Sequence, residues 1–248
     1  MIRVIDVHRA FGNQQVLRGI NLRVQNGEIL AIIGRSGSGK TVLLRHLIGL
    51  VRPNRGQILI EEADITKLSG RRLDRVRERF GMLFQGGALF DSMTVFDNVA
   101  FPLREKTALA EPEVAAQVRK MLENVGLGDM EYKFPAELSG GMKKRAALAR
   151  ALITNPSIIF FDEPTTGLDP ILVHAIHQLI QETHDAFGYT AVLVSHEIPE
   201  VFDIATRVAV IHEGRIIAEG TPEMILNSSD PFIQQFISGS LEGPVQPL

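Results

Sequence analysis

Apolar residues along the chain gather into short continuous runs separated by Gly-rich punctuation, with stretches of helical periodicity between them. Residues 2–7, 20–24 and 57–60 predict short strands of an antiparallel part. Residues 28–33 predict a buried strand that leads into a Gly-rich turn, followed by a helix from Lys40 to about Leu50 that closes ahead of Pro53. Over 113–125, Val114, Val118, Met121, Leu122 and Val125 recur at helical spacing, and Gly126 ends the run. Ser139 is placed to cap a helix reaching about Ile153, with Pro156 beyond its end. Residues 157–161 and 191–194 predict two more buried strands. Between them, 172–187 predicts an amphipathic helix with Leu172, Val173, Ile176, Leu179, Ile180 and Phe187 on one face. Residues 208–211 and 216–218 predict a hairpin around Glu213-Gly214-Arg215. The Gly- and Pro-containing tail after Gly239 reads as an extended C-terminal extension, 239–248. Buried strands alternating with amphipathic helices predict an α/β fold.

Composition narrows the class. The 248 residues are 45% hydrophobic and 22% charged, enough apolar side chain to bury a core. Lys and Arg total 26 against 29 Asp and Glu, a net charge of −3, so bulk positive charge for nucleic acid is absent. No apolar run approaches the ~18 residues that would span a bilayer. Asp6 interrupts the first apolar run, which therefore reads as a strand and not as a signal peptide. With no cysteine, disulfides, thiolate metal sites and thiol nucleophiles are excluded.

Two segments carry recognisable chemistry. Gly34-Arg35-Ser36-Gly37-Ser38-Gly39-Lys40-Thr41 fits the phosphate-loop pattern between a predicted strand and a predicted helix. Glycines let backbone N–H groups curl around phosphate oxygens, and the helix N-terminus adds positive potential. Lys40 then reaches the β- and γ-phosphates of ATP, and the Thr41 hydroxyl binds Mg²⁺. The strand at 157–161 ends in Asp162-Glu163, at the edge where ligands of parallel α/β sheets sit. Asp162 is the candidate Mg²⁺ carboxylate and Glu163 the candidate general base for an attacking water.

Leu138-Ser139-Gly140-Gly141-Met142 resembles the signature usually written LSGGQ, and with the two segments above it resembles the ABC ATPases from about residue 2 to 235. The resemblance implies a P-loop NTPase domain over 1–238. A RecA-like ATP-binding lobe with a small antiparallel β subdomain (1–85 and 157–238) would accompany a helical signature lobe (86–156). It implies that Phe11 stacks on adenine and that Gln85 links the Mg²⁺ site to the helical lobe. Asp169 follows Leu168 in the D-loop, and His196 is the switch histidine. Ser139, Gly140 and Gly141 open a helix N-terminus, which in this family faces the γ-phosphate held by a second copy, arranged head to tail. Met142 departs from the family glutamine and lacks its amide.

A narrower likeness lies in Leu83–Glu105 and in Met142-Lys143-Lys144-Arg145, which are similar to ATPases of the phospholipid transporters linked to MCE-domain proteins, the Mla/Mkl/TGD group. That likeness implies a membrane permease and an MCE-domain lipid-binding protein as partners, no nucleic acid, and a place on the cytoplasmic face of the inner (plasma) membrane, held through the permease. The alternatives are another ABC system, such as a polar solute importer or a lipoprotein extractor, and an ABC ATPase acting on nucleic acid or ribosomes. A single cassette without a long coiled-coil insertion disfavours the last.

Other clusters have blander readings. His174, His177 and His184 share one helix side and read as a solvated face, since no carboxylate completes a metal set. Ser195-His196-Glu197 resembles a hydrolase trio in composition only. Arg71, Arg72, Arg75, Arg77 and Arg79 read as a solvated helix face, with contact to anionic lipid or permease as the sharper option. Phe90, Val95 and Phe101 are either core or the lining of a groove for a permease helix.

Overall fold

A computed structural model describes residues 1–244. In chain order the elements are β1 (Ile2–Phe11), β2 (Gln14–Val24), β3 (Ile29–Ile33), α1 (Lys40–Leu47), β4 (Arg55–Ile60), β5 (Ala63–Asp64), α2 (Arg71–Arg77), β6 (Phe80–Leu83), α3 (Val95–Lys106), α4 (Glu111–Asn124), α5 (Gly140–Leu152), β7 (Ile158–Asp162), α6 (Pro170–Phe187), β8 (Thr190–Ser195), β9 (Arg207–His212), β10 (Arg215–Gly220), α7 (Pro222–Leu226) and α8 (Pro231–Ser238). They fall into two compact units, Met1–Val76 with Val192–Leu248, and Arg77–Ala191.

The first unit holds an antiparallel sheet of order β2-β1-β4-β5 and the strands β10-β9-β3-β8. β3 is buried on both faces, as a central parallel strand must be, and pairs parallel with β9, Leu30 opposite Arg207. Arg207 bridges Glu28 at 2.9 Å and Glu219 at 2.6 Å, tying the approach to β3 to the β9–β10 hairpin. β1 and β2 extend further than the apolar pattern predicts, to a turn at 12–13. Cross-strand backbone pairing carries them on where side chains turn polar, Phe11 opposite Gln14. α8 ends at Gly239 in the left-handed conformation; of the predicted C-terminal extension, 245–248 lie outside the described residues.

In the second unit, β7 pairs parallel with β6, Phe80 opposite Ile158, and the start of β8 continues the order β8-β7-β6. α5 is the pivot of this unit and packs against α3, α4, α6 and β6. The predicted stripe of α4 is buried as expected, Val114, Val118, Met121 and Leu122 among the core, with Val125 just past its end. Helix α3 has no counterpart among the elements predicted from the pattern. Pro102 sits inside it, although proline ordinarily breaks a helix, and its start is fixed by Thr94, whose hydroxyl accepts from Asp97 N at 3.1 Å.

Asn98 of α3 is fully buried and organises the loop before the helix. Its Oδ1 accepts from Phe90 N at 2.8 Å, and its Nδ2 donates to the carbonyls of Phe90 (3.0 Å), Met93 (3.2 Å) and Thr94 (3.0 Å). Asn98→Leu is therefore expected to lower unfolding stability by about 2–4 kcal/mol, because several buried backbone groups lose their partner together. Urea denaturation checks this, and a change below about 0.5 kcal/mol would show that the loop does not depend on Asn98.

Candidate ATP site

The phosphate loop is shaped by close backbone approach. A Cβ on Gly34 would lie 2.3 Å from the Ile211 carbonyl oxygen, so no larger residue fits. Gly39 has φ +108°, and a Cβ there would meet the Leu17 side chain at 3.0 Å and the Val16 carbonyl at 3.1 Å. The β1–β2 hairpin thus lies directly against the loop. Ser38 N donates to the Arg35 carbonyl at 3.1 Å, closing the turn of the loop. No side chain caps the N-terminus of α1, and its first turn has no acidic residue, which leaves the dipole uncompensated for an anion. Lys40 is buried, and its Nζ donates to the carbonyls of Gly34 (2.7 Å) and Arg35 (3.0 Å), so the ammonium is held over the loop. Thr41 is half-buried one residue on, while Ser36 and Gly37 are exposed and Ser38 is buried. A cavity of about 310 Å³ is lined by Gly34, Arg35, Ser36, His196, Phe232 and Phe236 among others, so His196 and the loop do come together. Phe11 closes β1 with 47% of its surface exposed.

The second unit carries the carboxylates. Asp162, half-buried, is the last residue of β7. Glu163 follows in the left-handed conformation, φ +48°. Its Oε2 accepts from Gln85 Nε2 and from Thr166 Oγ1, both at 3.1 Å. Ser139 caps α5 as expected, its Oγ accepting from Met142 N at 3.3 Å, and Gly140 and Gly141 form the first turn. Asp169 caps α6, accepting from Ile171 N (3.0 Å) and Leu172 N (3.1 Å), so its carboxylate is engaged by its own helix.

Motif reading missed the residues that hold the loop after Gln85. Lys144 is buried, and its Nζ donates to the Gln85 carbonyl. Arg150 donates from Nη1 to Ala88 O and from Nη2 to Gly87 O, both at 2.8 Å, and burial pulls its guanidinium below the usual arginine range. Cations on a helix ordinarily read as solvated charge, and only the fold shows them turned inward. Beside them lies a groove of about 320 Å³ walled by Phe84, Ala88, Phe90, Phe101 and Pro102 with Arg150. Phe90 and Phe101 meet edge to face at 5.1 Å. Of the three residues left between core and groove, Phe90 and Phe101 line the groove and Val95 is core.

One expectation is corrected. His177 is buried and His184 half-buried against the Tyr189 ring (5.3 Å), so only His174 is exposed. The reason is that position 177 lies beside Val173 and Ile180 on the apolar stripe. Ser195-His196-Glu197 is a hydrolase trio in composition only, as expected: Ser195 is buried with its Oγ accepting from Glu197 N at 3.0 Å, a turn contact and not a nucleophile's setting.

Each unit carries hard oxygen donors of the kind Mg²⁺ takes, the Thr41 hydroxyl in the first and the Asp162 carboxylate and Gln85 amide oxygen in the second. Among the described residues no cluster of three His, Asp or Glu could form an all-protein cage.

Residues 17–166 match the family model described as ABC transporter. The chain belongs to this family. A shorter match to a model described as AAA domain, putative AbiEii toxin, Type IV TA system covers 134–203. The Haemophilus influenzae intermembrane phospholipid transport system ATP-binding protein MlaF is 47% identical over 246 residues, 99% of this chain and 93% of the relative. The Mycobacterium leprae probable ribonucleotide transport ATP-binding protein mkl is 41% identical over 98% of this chain and 70% of its own. A solved dimeric ATP-binding cassette, MJ0796 in a post-hydrolysis state with ADP and Pi, superposes with TM-score 0.81 at 30% identity, covering 90% of this chain and 99% of that one. The chain is an ABC ATPase that uses ATP and Mg²⁺.

Lys40→Ala removes the buried ammonium from the loop. In wild type, Mg-ATP at about 100 times its Kd adds roughly 2.7 kcal/mol, a shift of several degrees in Tm. The variant is expected to lose most of that shift while its nucleotide-free Tm stays close to wild type. An undiminished shift would place the phosphates elsewhere.

Proposed function

We propose that this chain is the ATP-hydrolysing subunit of a membrane transporter that moves phospholipids, working as a head-to-tail pair on the cytoplasmic face of the membrane. The observation that carries the reading is the 47% identity, over nearly the full length, to an ATP-binding protein of an intermembrane phospholipid transport system. The dimeric cassette of similar fold supports the pairing.

In this reading Phe11 stacks on adenine, the loop 34–39 wraps the phosphates with its N–H groups, and Lys40 neutralises the β- and γ-phosphates. Thr41, Asp162 and Gln85 would hold Mg²⁺, which when bound offsets phosphate charge. Glu163 takes a proton from water as the water oxygen bonds to the γ-phosphorus and the bond to the leaving ADP oxygen breaks. His196 borders the same cavity as the loop, and in this reading it acts as the switch histidine toward the γ-phosphate. Ser139, Gly140 and Gly141 present the N-terminus of α5 to the nucleotide held by the second copy, and Asp169 shapes the neighbouring D-loop. Binding closes the pair and hydrolysis reopens it. The ATP-binding lobe is assigned to 1–85 with 157–238, and the helical lobe to 86–156.

The groove at Phe84, Ala88 and Phe90 is assigned to a short helix of the permease, with an MCE-domain lipid-binding protein in the same complex. Its apolar walls suit an apolar helix face, and Lys144 and Arg150, bonded to the neighbouring loop, would carry a movement of the groove to the signature helix. Phe90→Glu is expected to abolish membrane association of the chain by burying an unpaired carboxylate in the interface, with its far-UV circular dichroism unchanged. Retained membrane association would move the docking site elsewhere.

The transport reading is tested in the complex with its permease and MCE partner, reconstituted in liposomes. Labelled phospholipid should move between membranes, or to the MCE protein, only with hydrolysable ATP. ATP-independent lipid movement, with ATP-driven uptake of a ribonucleotide or another polar solute, would overturn the substrate assignment and leave the ATPase intact.

A further inference from the structure

The Phe11 ring does not stand alone. The guanidinium carbon of Arg9 lies 4.4 Å from its centroid, covering one face. Arg9 is anchored in turn: its Nη1 donates to the Arg52 carbonyl at 3.0 Å, while its Nε is buried without a hydrogen-bond partner. The neighbouring backbone is braced on the same side, Ala10 N donating to Asn54 Oδ1 at 2.7 Å and Asn54 N to the His8 carbonyl at 2.9 Å. Across the hairpin Arg9 is opposite Leu17, the residue that touches the site of Gly39 in the phosphate loop. Arg9 also faces α1, where burial, with the Arg9 charge added to it, holds His46 below the ordinary histidine range. A buried N–H left unpaired costs stability, and a cation stacked on an aromatic face recovers part of it.

We infer that Arg9 is a positioning residue for the purine ring of the nucleotide, its guanidinium pinning the Phe11 ring from one face so that the other face alone is offered to the base. The inference rests on the reading that Phe11 stacks on adenine. The chemistry has two parts. A phenyl ring at a half-exposed strand end is free to turn, and a nucleotide that stacks on it must first stop that motion; the guanidinium has already done so. The cation also draws electron density from the ring, which strengthens stacking of an electron-rich purine on the far face. Arg9 touches no part of the nucleotide. Its effect therefore belongs to the base and not to the phosphates, and it vanishes without the Phe11 ring.

The test is calorimetric titration of the full chain with Mg-ATP and, separately, with Mg-tripolyphosphate, which has the phosphates and no base. The ratio of the two affinities is independent of the fraction of protein folded, so a partly unstable variant still reports. Arg9→Met should weaken ATP about two- to five-fold and leave tripolyphosphate unchanged, the size expected of a partly exposed cation–π contact. Arg9→Lys, which keeps the cation, should restore most of the ratio. In a Phe11→Ala background Arg9→Met should have no further effect on it. Equal weakening of both ligands, an unchanged ratio, or the same loss with and without Phe11 would overturn the inference. If Phe11→Ala itself leaves the ratio unchanged, the underlying reading of Phe11 fails, and the inference with it.

Discussion

The hydrogen bond from Gln85 to Glu163 is the link on which the arrangement at the end of β7 depends. Glu163 stands at the end of β7 in a left-handed conformation that costs a non-glycine residue of order 1–3 kcal/mol and persists only where its surroundings hold it. Gln85 and Thr166 are among those surroundings. Gln85 is held by its own carbonyl, which Lys144 of α5 grips, and the next residues are held by Arg150 of the same helix. From the carboxylate to the signature helix runs one continuous set of polar contacts, and the groove at Phe84 and Phe90 forms its outer wall. These contacts tie the groove to the proposed base, which is what coupling between the two would require.

The first unit solves a different problem, how to hold a polyanion by backbone. Gly34 and Gly39 are dictated by contacts on the far side of the loop, from Ile211 and from Val16 and Leu17, so its shape is set by its neighbours before any phosphate arrives. The same hairpin that presses on Gly39 carries Arg9 and Phe11. The proposed base platform and the phosphate loop are therefore parts of one packed structure.

Much of this was legible in the sequence because it is local. The strand–loop–helix order around Lys40, the buried strand ending in Asp162-Glu163, and Ser139 at a helix start each follow from spacing within ten or so residues. What stayed hidden depends on contacts far apart in sequence. Lys144 and Arg150 carry no mark that separates them from solvated charges, and Asn98 resembles any helix-surface amide until the loop it satisfies is in place. His177 was misplaced for a similar reason: three histidines on one side suggested solvent, but that side borders the apolar stripe. α3 was obscured by Pro102, a local signal overridden by packing of Val95, Val99 and Leu103.

In the proposed mechanism Glu163, oriented by Gln85, is the base that activates water. That role is tested most directly by measuring steady-state ATP turnover and Mg-ATP affinity of Glu163→Gln, which keeps the size and the hydrogen-bonding capacity of the side chain and removes its basicity. Turnover should fall by about 10²–10⁴-fold with ATP affinity preserved, and the variant should accumulate as an ATP-bound dimer. Near-normal turnover with intact ATP binding would contradict the account and place the proton acceptor elsewhere.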